Sequence, residues 1–150
     1  MDDAENRPHG KNLRNGRVSL PNQAYLVTIV TASRKPVFTS FIAARIAVRC
    51  FHDNNIVHHA QTMAFVVMPD HLHWLTQMSD DGNLSEMIRL YKAKVSLQLK
   101  QRVWQRGFHD HALREGEDVR DIARYIVANP LRAGLTNSVG EYPHWDAIWL

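Results

Sequence analysis

The sequence has one cysteine and no long apolar run, and both shortages restrict what the chain can be. Because Cys50 stands alone, no disulfide can form within the chain. No apolar stretch approaches the ~18 residues of a membrane-spanning helix. The N-terminal sequence MDDAENRPHGKNLRNGR also has no apolar segment of the kind found in a secretory signal. These absences favour a cytosolic protein without a membrane partner.

The remaining composition is that of one globular domain with a small excess of positive charge. The chain has 150 residues, of which 45% are hydrophobic and 22% charged, enough for a substantial core. A formal net charge of +3 with nine further histidines suits a nucleic-acid partner without proving one. We predict a flexible basic arm over residues 1–20, either a disordered tail or a phosphate-binding segment, and a folded domain over residues 21–150.

Hydrophobic periodicity predicts the element order β-α-β-β-α-β-α. Strands are predicted by β-branched or alternating segments over 25–31, 61–68, 71–78 and 108–114. Helices are predicted by apolar stripes over about 41–53, 84–101 and 117–128, with Ser40 and Asn83 as N-caps of the first two. This order is typical of an α+β, ferredoxin-like (split βαβ) fold. We expect an antiparallel sheet with helices on one face, an additional C-terminal helix, and a second face left for a ligand.

His71 and His73 are the first candidates for chemistry. Two residues apart on a predicted strand, they project from the same face with their Cα atoms roughly 6–7 Å apart, so both imidazoles could bind one metal ion. The pattern is equally compatible with two unrelated polar side chains. A second pair with the same spacing, His109 and His111, competes for the metal, whereas the adjacent His58-His59 pair would point in opposite directions in a strand.

The predicted C-terminal helix adds a phenol and an amide. Tyr125 and Asn129 are four residues apart and therefore share a helix face. An amide oxygen is a suitable ligand for a hard divalent cation. Alternatively, Tyr125 is an ordinary amphipathic-helix residue, and Asn129 caps the turn that begins at Pro130. Tyr91 is a rival tyrosine, but its place in an apolar stripe predicts packing.

Three linked segments, AFVVMPDHLHWL, VWQRGFHDHALR and YIVANPLRAGL, resemble the REP-associated tyrosine transposases of the HUH single-tyrosine superfamily. The resemblance extends over residues 20–145. It demotes the second histidine pair, because only His111 matches a recurring residue of the family. It implies two histidine metal ligands, a nucleophilic tyrosine and a third, amide ligand, namely His71, His73, Tyr125 and Asn129.

The resemblance also implies a substrate and a reaction. We expect a metal-dependent single-strand DNA endonuclease and strand transferase that uses Mg²⁺ or Mn²⁺, acts on hairpin-forming palindromes and passes through a 5′-phosphotyrosine intermediate. Exposed Trp74 or Phe108 could stack on bases, although both are equally compatible with the core. Basic side chains that either follow DNA phosphates or are simply solvated are Lys92, Lys94, Arg102, Arg106, Arg120, Arg124 and Arg132.

Some alternatives stay open at this point. A hairpin-binding regulator without cleavage, or a hydrolase that activates water with Tyr125 uninvolved, would fit the same residues. Asp70 stands where the family commonly has Asn or Glu; strand alternation points it away from the histidines, unless the turn brings its carboxylate into the site. The resemblance implies a cytosolic, nucleoid-associated bacterial protein, either a monomer or a homodimer.

Overall fold

The computed structural model describes Leu20 and residues 22–149. Five strands are present in this part of the chain: β1 (Ala24–Val30), β2 (Ala60–Met68), β3 (His71–Met78), β4 (His109–Ala112) and β5 (Trp145–Ala147). The helices are α1 (Phe41–Cys50), α2 (Asn54–Val57), α3 (Leu84–Leu99), α4 (Val119–Val127) and α5 (Asn129–Arg132). Short 3-10 turns lie at Ala32–Arg34, Val37–Thr39 and Val139–Glu141. Except for Leu20, the predicted basic arm falls outside the described residues.

The strands form one antiparallel sheet in the order β4-β1-β3-β2-β5, which confirms the predicted fold class. Because β3 lies between β1 and β2 and is antiparallel to both, β1, α1 and β2 form a split βαβ unit. The C-terminal segment packs against the sheet, and part of it forms β5, a strand that the sequence did not predict. No helix among the described residues is long and apolar enough to cross a membrane.

The two predicted N-caps are confirmed by their hydrogen bonds. The Ser40 hydroxyl accepts a hydrogen bond from the backbone N–H of Ala43, and the Asn83 side chain accepts one from Glu86. The first helix ends at Cys50 rather than near residue 53. The reason is local: Asp53 adopts extended backbone angles and caps the one-turn helix α2.

One face of the sheet carries α1, α3 and the larger core cluster. Its centre is an aromatic group in which the Phe51 ring centroid lies 4.9 Å from that of Trp74 and 4.6 Å from that of Tyr91. Trp74 is 0% exposed and Phe108 is 5% exposed, so the expectation that either could stack on a base is wrong. The predicted packing role of Tyr91 is confirmed, and its hydroxyl donates a hydrogen bond to the Ala47 carbonyl at 2.8 Å.

The other sheet face is partly covered, contrary to the expectation that it would be left to a ligand. Ala123, Ile126 and Val127 of α4 pack in a second apolar cluster that also contains Val66 and Leu75. The C-terminal segment joins this cluster, and the Tyr142 hydroxyl donates a hydrogen bond to the Val67 carbonyl at 2.6 Å. The covered part lies over β2 and β3, which leaves the β1–β4 half of this face more open.

Tyr91→Phe should destabilise the protein by about 1 kcal/mol, because it removes a buried hydrogen bond without opening a large cavity. The free energy of unfolding, measured by urea denaturation, checks this value. Tyr125→Phe is the matched control, since the Tyr125 side chain is exposed. Equal stability of the two variants would contradict the assignment of Tyr91 to the core.

Candidate active site

The two histidines of β3 lie on the sheet face that α4 covers. Their cross-strand partners on β2 are Met68 for His71 and Val66 for His73, and both of those residues belong to the second apolar cluster. The imidazole centroids are 5.0 Å apart, with the ring planes at 77°. Neighbouring imidazoles at this separation can direct one ring nitrogen each toward a common ion.

Each imidazole uses its Nδ1 atom in a hydrogen bond within the protein. Nδ1 of His71 lies 2.8 Å from Oδ1 of Asp70, and Nδ1 of His73 lies 2.9 Å from the Thr28 hydroxyl. A carboxylate only accepts hydrogen bonds, so the neutral His71 ring carries its proton on Nδ1 and keeps a lone pair on Nε2. This is the tautomer that a metal-binding histidine requires. No sequence pattern indicates Thr28, since its contact depends on the register of β1 against β3.

Asp70 points toward His71, so the expectation that it faces away is wrong. The turn between β2 and β3 is fixed by the backbone N–H of Thr31, which donates to the Asp70 carbonyl at 3.0 Å. Oδ2 of the carboxylate accepts from Nε of Arg34 at 3.1 Å. Burial raises the pKa of Asp70, but the hydrogen bond from His71 and the charge of Arg34 outweigh it, so the net pKa is lowered. Asp70 therefore stays ionised and orients the His71 ring.

His73 is a neutral imidazole at physiological pH. Burial, the neighbouring His71 and the positive charge of Arg132 lower the pKa of His73 to about 4. A neutral ring keeps the lone pair that a metal ligand needs. The positive charge of Arg132 on α5 thus contributes to the electrostatics of this histidine.

Tyr125, Asn129 and Arg132 form a cluster at the junction of α4 and α5. The Arg132 guanidinium carbon lies 3.8 Å from the centroid of the Tyr125 ring, and Nη2 of Arg132 donates to Oδ1 of Asn129 at 3.2 Å. Asn129 is the first residue of α5 and Ala128 its N-cap, so the alternative that Asn129 caps this turn is wrong. Arg132 thus joins the phenol and the amide to each other, and its charge acts on His73 through space.

The rival candidates for the nucleophile and for the metal ligands lie elsewhere in the fold. Tyr91 is fully buried, and burial raises the pKa of Tyr91 well above its usual value. His109 and His111 project from the same face as the first pair but on β4, beyond β1, and Nε2 of His111 lies 3.0 Å from the carboxylate of Glu117. Across the described part of the chain, no three His, Cys, Asp or Glu side chains converge as a metal site.

The adjacent pair His58-His59 lies at the end of α2, away from this cluster. His58 is 3.7 Å from the carboxylate of Asp81, and Nδ1 of His59 accepts from the backbone N–H of Asn83 at 3.0 Å. Both histidine rings therefore contact the segment that directly precedes α3.

The basic residues divide into two groups. Lys92, Lys94, Arg102 and Arg106 belong to α3 and the connection that follows it, while Arg120, Arg124 and Arg132 belong to α4 and α5. The Lys92 ammonium group donates to the carbonyls of Gln105 and Gly107, and Lys94 pairs with Asp53 at 3.1 Å. The second group lies on the same two helices as Tyr125 and Asn129.

An open groove adjoins the histidine pair on the β1–β4 half of the face. It has a volume of about 300 Å³, and its lining includes Leu26, Thr28, Val30, Arg34, His109 and His111. Thr28 pairs with His73 on one side and with His109 on the other, so the groove is continuous with the site. A polymeric ligand bound at the histidines has room to continue in this direction.

Residues 19–129 match the family model described as "Transposase IS200 like". The chain belongs to this transposase family. A protein of Haemophilus influenzae named as a REP-associated tyrosine transposase is 28% identical over 138 residues, covering 80% of this chain and 77% of the relative. The REP-associated tyrosine transposase of Escherichia coli K12 is 32% identical over 82 residues, and the match spans 53% of this chain and 50% of that relative. The resemblance to the REP-associated tyrosine transposases is thereby confirmed.

Two solved structures share the fold. A REP-associated tyrosine transposase bound to a REP hairpin superposes with a TM-score of 0.69 at 23% identity, over 86% of this transposase and 79% of that chain. A transposase structure from Deinococcus radiodurans superposes with a TM-score of 0.51 at 18% identity, over 76% of this transposase and 95% of that chain. Both likenesses support the fold described above.

Proposed function

We propose that this transposase cuts and rejoins single strands of hairpin-forming DNA, with Tyr125 as the nucleophile. The observation that carries the proposal is the cluster in which Arg132 contacts Tyr125 and Asn129, together with the effect of the Arg132 charge on His73. A hairpin substrate is favoured because a structural relative was solved with a REP hairpin. As a protein acting on chromosomal repeats, it would work in the cytosol, at the nucleoid.

The side chains fit a divalent cation held by His71, His73 and Asn129. Both imidazoles have their Nδ1 atoms engaged within the protein, and the third donor is a hard amide oxygen. With nitrogen and oxygen donors and no thiolate, the set suits Mg²⁺ or Mn²⁺, and the remaining ligands would be water and a substrate phosphate. When bound, such an ion supplies charge neutralisation and polarisation of the scissile phosphate.

The phenol of Tyr125 would perform the strand cut. Its oxygen forms a bond to the scissile phosphorus as the bond from phosphorus to the 3′-oxygen breaks. The electron pair leaves with the 3′-oxygen, which takes up a proton, and the phenol proton passes to solvent. The products are a free 3′-hydroxyl and a 5′-phosphotyrosine. Because the phosphodiester is conserved in the covalent link, another 3′-hydroxyl can reverse the step without an added energy source.

Arg132 would hold the Tyr125 ring in place and donate hydrogen bonds to the scissile phosphate. Its guanidinium lies over the Tyr125 ring and uses one N–H on Asn129, which leaves further donors of the planar group for a phosphate oxygen. Arginine has no acceptor atom, so the Asn129 amide must turn its oxygen toward this cluster. The arginine thus orients both the ring and the ligand oxygen.

Arg132→Ala should slow formation of the covalent product by about 100-fold or more, the usual effect of removing one donor to a developing phosphate or oxyanion charge. Arg132→Lys should be intermediate, since it keeps the charge but loses the planar stack. Single-turnover kinetics measure both rates. Arg49→Ala is the charge-matched control on α1. If Arg132→Ala formed the covalent product at the wild-type rate, the proposed role of Arg132 in the site would be wrong.

Asp70→Ala should weaken Mn²⁺ binding by about 10- to 100-fold, as is usual when the partner of a metal-binding histidine is lost. Asp70→Asn should lose less, because the amide oxygen can still accept from Nδ1 of His71. Isothermal titration with Mn²⁺ compares the two, with Asp81→Ala as a surface control. If Asp70→Ala binds Mn²⁺ like the wild type, the orienting role of Asp70 is wrong.

The proposed function is tested with an end-labelled single-stranded hairpin and Mg²⁺ or Mn²⁺, followed by a denaturing gel. We expect a covalent protein–DNA band that disappears with a chelator. Cleavage without a covalent band would favour the hydrolase alternative. Hairpin binding without any cleavage would favour the regulator.

A further inference from the structure

A cleft separates α4 from the C-terminal residues that follow β5. Its volume is about 320 Å³, and it is lined by Arg120, Ala123, Arg124, Val127, Ala147 and Trp149. We propose that this cleft binds one unpaired base of the DNA strand, with the Trp149 indole as the stacking surface and Arg120 and Arg124 on the adjoining phosphates. The proposal rests on the proposed function, since it requires a single-stranded DNA substrate.

The chemistry of the walls matches a nucleotide. The base of the cleft is apolar, formed by Ala123, Val127 and Ala147, and one side is an aromatic ring. The opposite rim is the cationic side of α4. A nucleotide offers a flat aromatic base and an anionic phosphate, and single-strand binding sites combine aromatic platforms with positive charge for this reason.

The spacing of Arg120 from Trp149 is about 1 Å short of what a stacked base needs. The guanidinium carbon lies 6.0 Å from the indole centroid, whereas Arg132 contacts the Tyr125 ring at 3.8 Å. A base stacked between a guanidinium and a ring needs about 7 Å, twice the ~3.4 Å stacking repeat of DNA. A shift of about 1 Å in the arginine would therefore admit a base as the middle layer of a three-layer stack.

Arg124 is held only weakly by its present partner. It pairs with Asp121 at 2.7 Å, but both side chains are about 70% exposed. Exposed ion pairs of this kind contribute about 0–1 kcal/mol, so a phosphate can replace the carboxylate at little cost. Arg124 would then contact the backbone of a strand whose base occupies the cleft.

The cleft and Tyr125 both belong to α4, so one strand can contact both. Arg120 and Tyr125 are five positions apart, or about 7.5 Å along the helix axis and roughly 140° around it, so their side chains project from different sides of the helix. A strand with its scissile phosphate at Tyr125 would therefore pass around α4 to reach Trp149, and the cleft would select unpaired DNA a few nucleotides from the cut.

The test is a double-mutant cycle between the protein and the DNA, measured by fluorescence anisotropy in EDTA so that no cleavage intervenes. The probe is a short stem-loop with unpaired thymidines on both sides, compared with the same DNA carrying one abasic residue at each unpaired position in turn. At one position the abasic residue should weaken binding to the wild type about tenfold. Trp149→Leu should weaken binding to the intact probe by a similar factor and abolish the abasic effect.

Matched variants distinguish the loss of base stacking from a general loss of folding or DNA binding. Trp145→Leu changes the other partly buried tryptophan of this region and should keep the abasic effect. Arg120→Gln, an exposed substitution that should not disturb folding, should weaken binding about threefold and reduce the salt dependence, while Arg49→Gln should change neither. The proposal is overturned if no abasic position matters, or if the abasic effect in Trp149→Leu equals that of the wild type. Coupling at Trp149 with no covalent product in Mn²⁺ would instead sink the proposed function alone.

Discussion

Tyr125→Phe is expected to abolish the covalent protein–DNA product completely. The substitution removes only the phenolic oxygen, which is the atom proposed to form the bond to phosphorus. Nothing else in the cluster should change, because a phenylalanine ring still offers its face to the Arg132 guanidinium. The Tyr125 side chain is 64% exposed, so no buried hydrogen bond is lost with the oxygen.

The matched control is Tyr91→Phe, assayed with the labelled hairpin on the same denaturing gel. Its hydroxyl is buried against Ala47, so this variant should be less stable yet form the covalent product at the wild-type rate. Hairpin affinity should be the same in Tyr125→Phe as in the wild type, which separates loss of chemistry from loss of binding. A covalent band that survives in Tyr125→Phe would overturn the assignment of the nucleophile.

The sequence contains four tyrosines, and burial distinguishes them. Tyr25 and Tyr91 are 2% and 0% exposed. Burial raises the pKa of Tyr142 to about 12, and its hydroxyl is committed to the Val67 carbonyl. Among the described residues, only Tyr125 presents its phenol at the surface beside a cation, which is where a nucleophile for a polymeric substrate must stand.

Most of the fold was predictable because it depends on local signals. The alternation in β3 and the β-branched residues of β1 mark central strands, and the side chains of Ser40 and Asn83 mark the helix starts. β5 escaped prediction because three residues are too few to show alternation. That α4 packs over β2 and β3 follows from long-range apolar contacts, which no local pattern of the sequence contains.

The candidate site was predictable only in part, for the same reason. Alternation alone puts His71 and His73 on one face, and helical spacing alone relates Tyr125 to Asn129. The groups that orient them, Thr28, Asp70 and Arg132, act through strand register, turn conformation and the angle between α4 and α5. These depend on tertiary contacts.

The contacts within one chain also bear on whether the active site is formed by one chain or shared between two. Arg132 contacts Tyr125 and Asn129 and lowers the pKa of His73 in the same chain. These interactions favour an arrangement in which the phenol and the histidines of one chain work together. We expect each chain to cut DNA with its own tyrosine, whether the protein is a monomer or a homodimer.

His73→Ala should abolish detectable Mn²⁺ binding and lower the rate of covalent product formation by more than about 100-fold, beyond the effect of losing an orienting partner. Titration with Mn²⁺ and the denaturing gel measure the two effects. His109→Ala is the matched control, since His109 projects from the same sheet face in line with His73 and Thr28. It should retain both metal binding and activity. If His109→Ala lost metal binding and His73→Ala did not, the second histidine pair would be the metal site.

Mixing His73→Ala with Tyr125→Phe tests whether the site belongs to one chain. Neither variant alone should form the covalent product, and the mixture should also form none, because each chain lacks one half of its own site. If the mixture regained activity, the tyrosine of one chain would have reached the histidines of another, and a shared dimeric site would replace the single-chain arrangement. The outcome thus depends on whether the cluster of Arg132, Tyr125 and Asn129 works with the histidines of its own chain when DNA is cut.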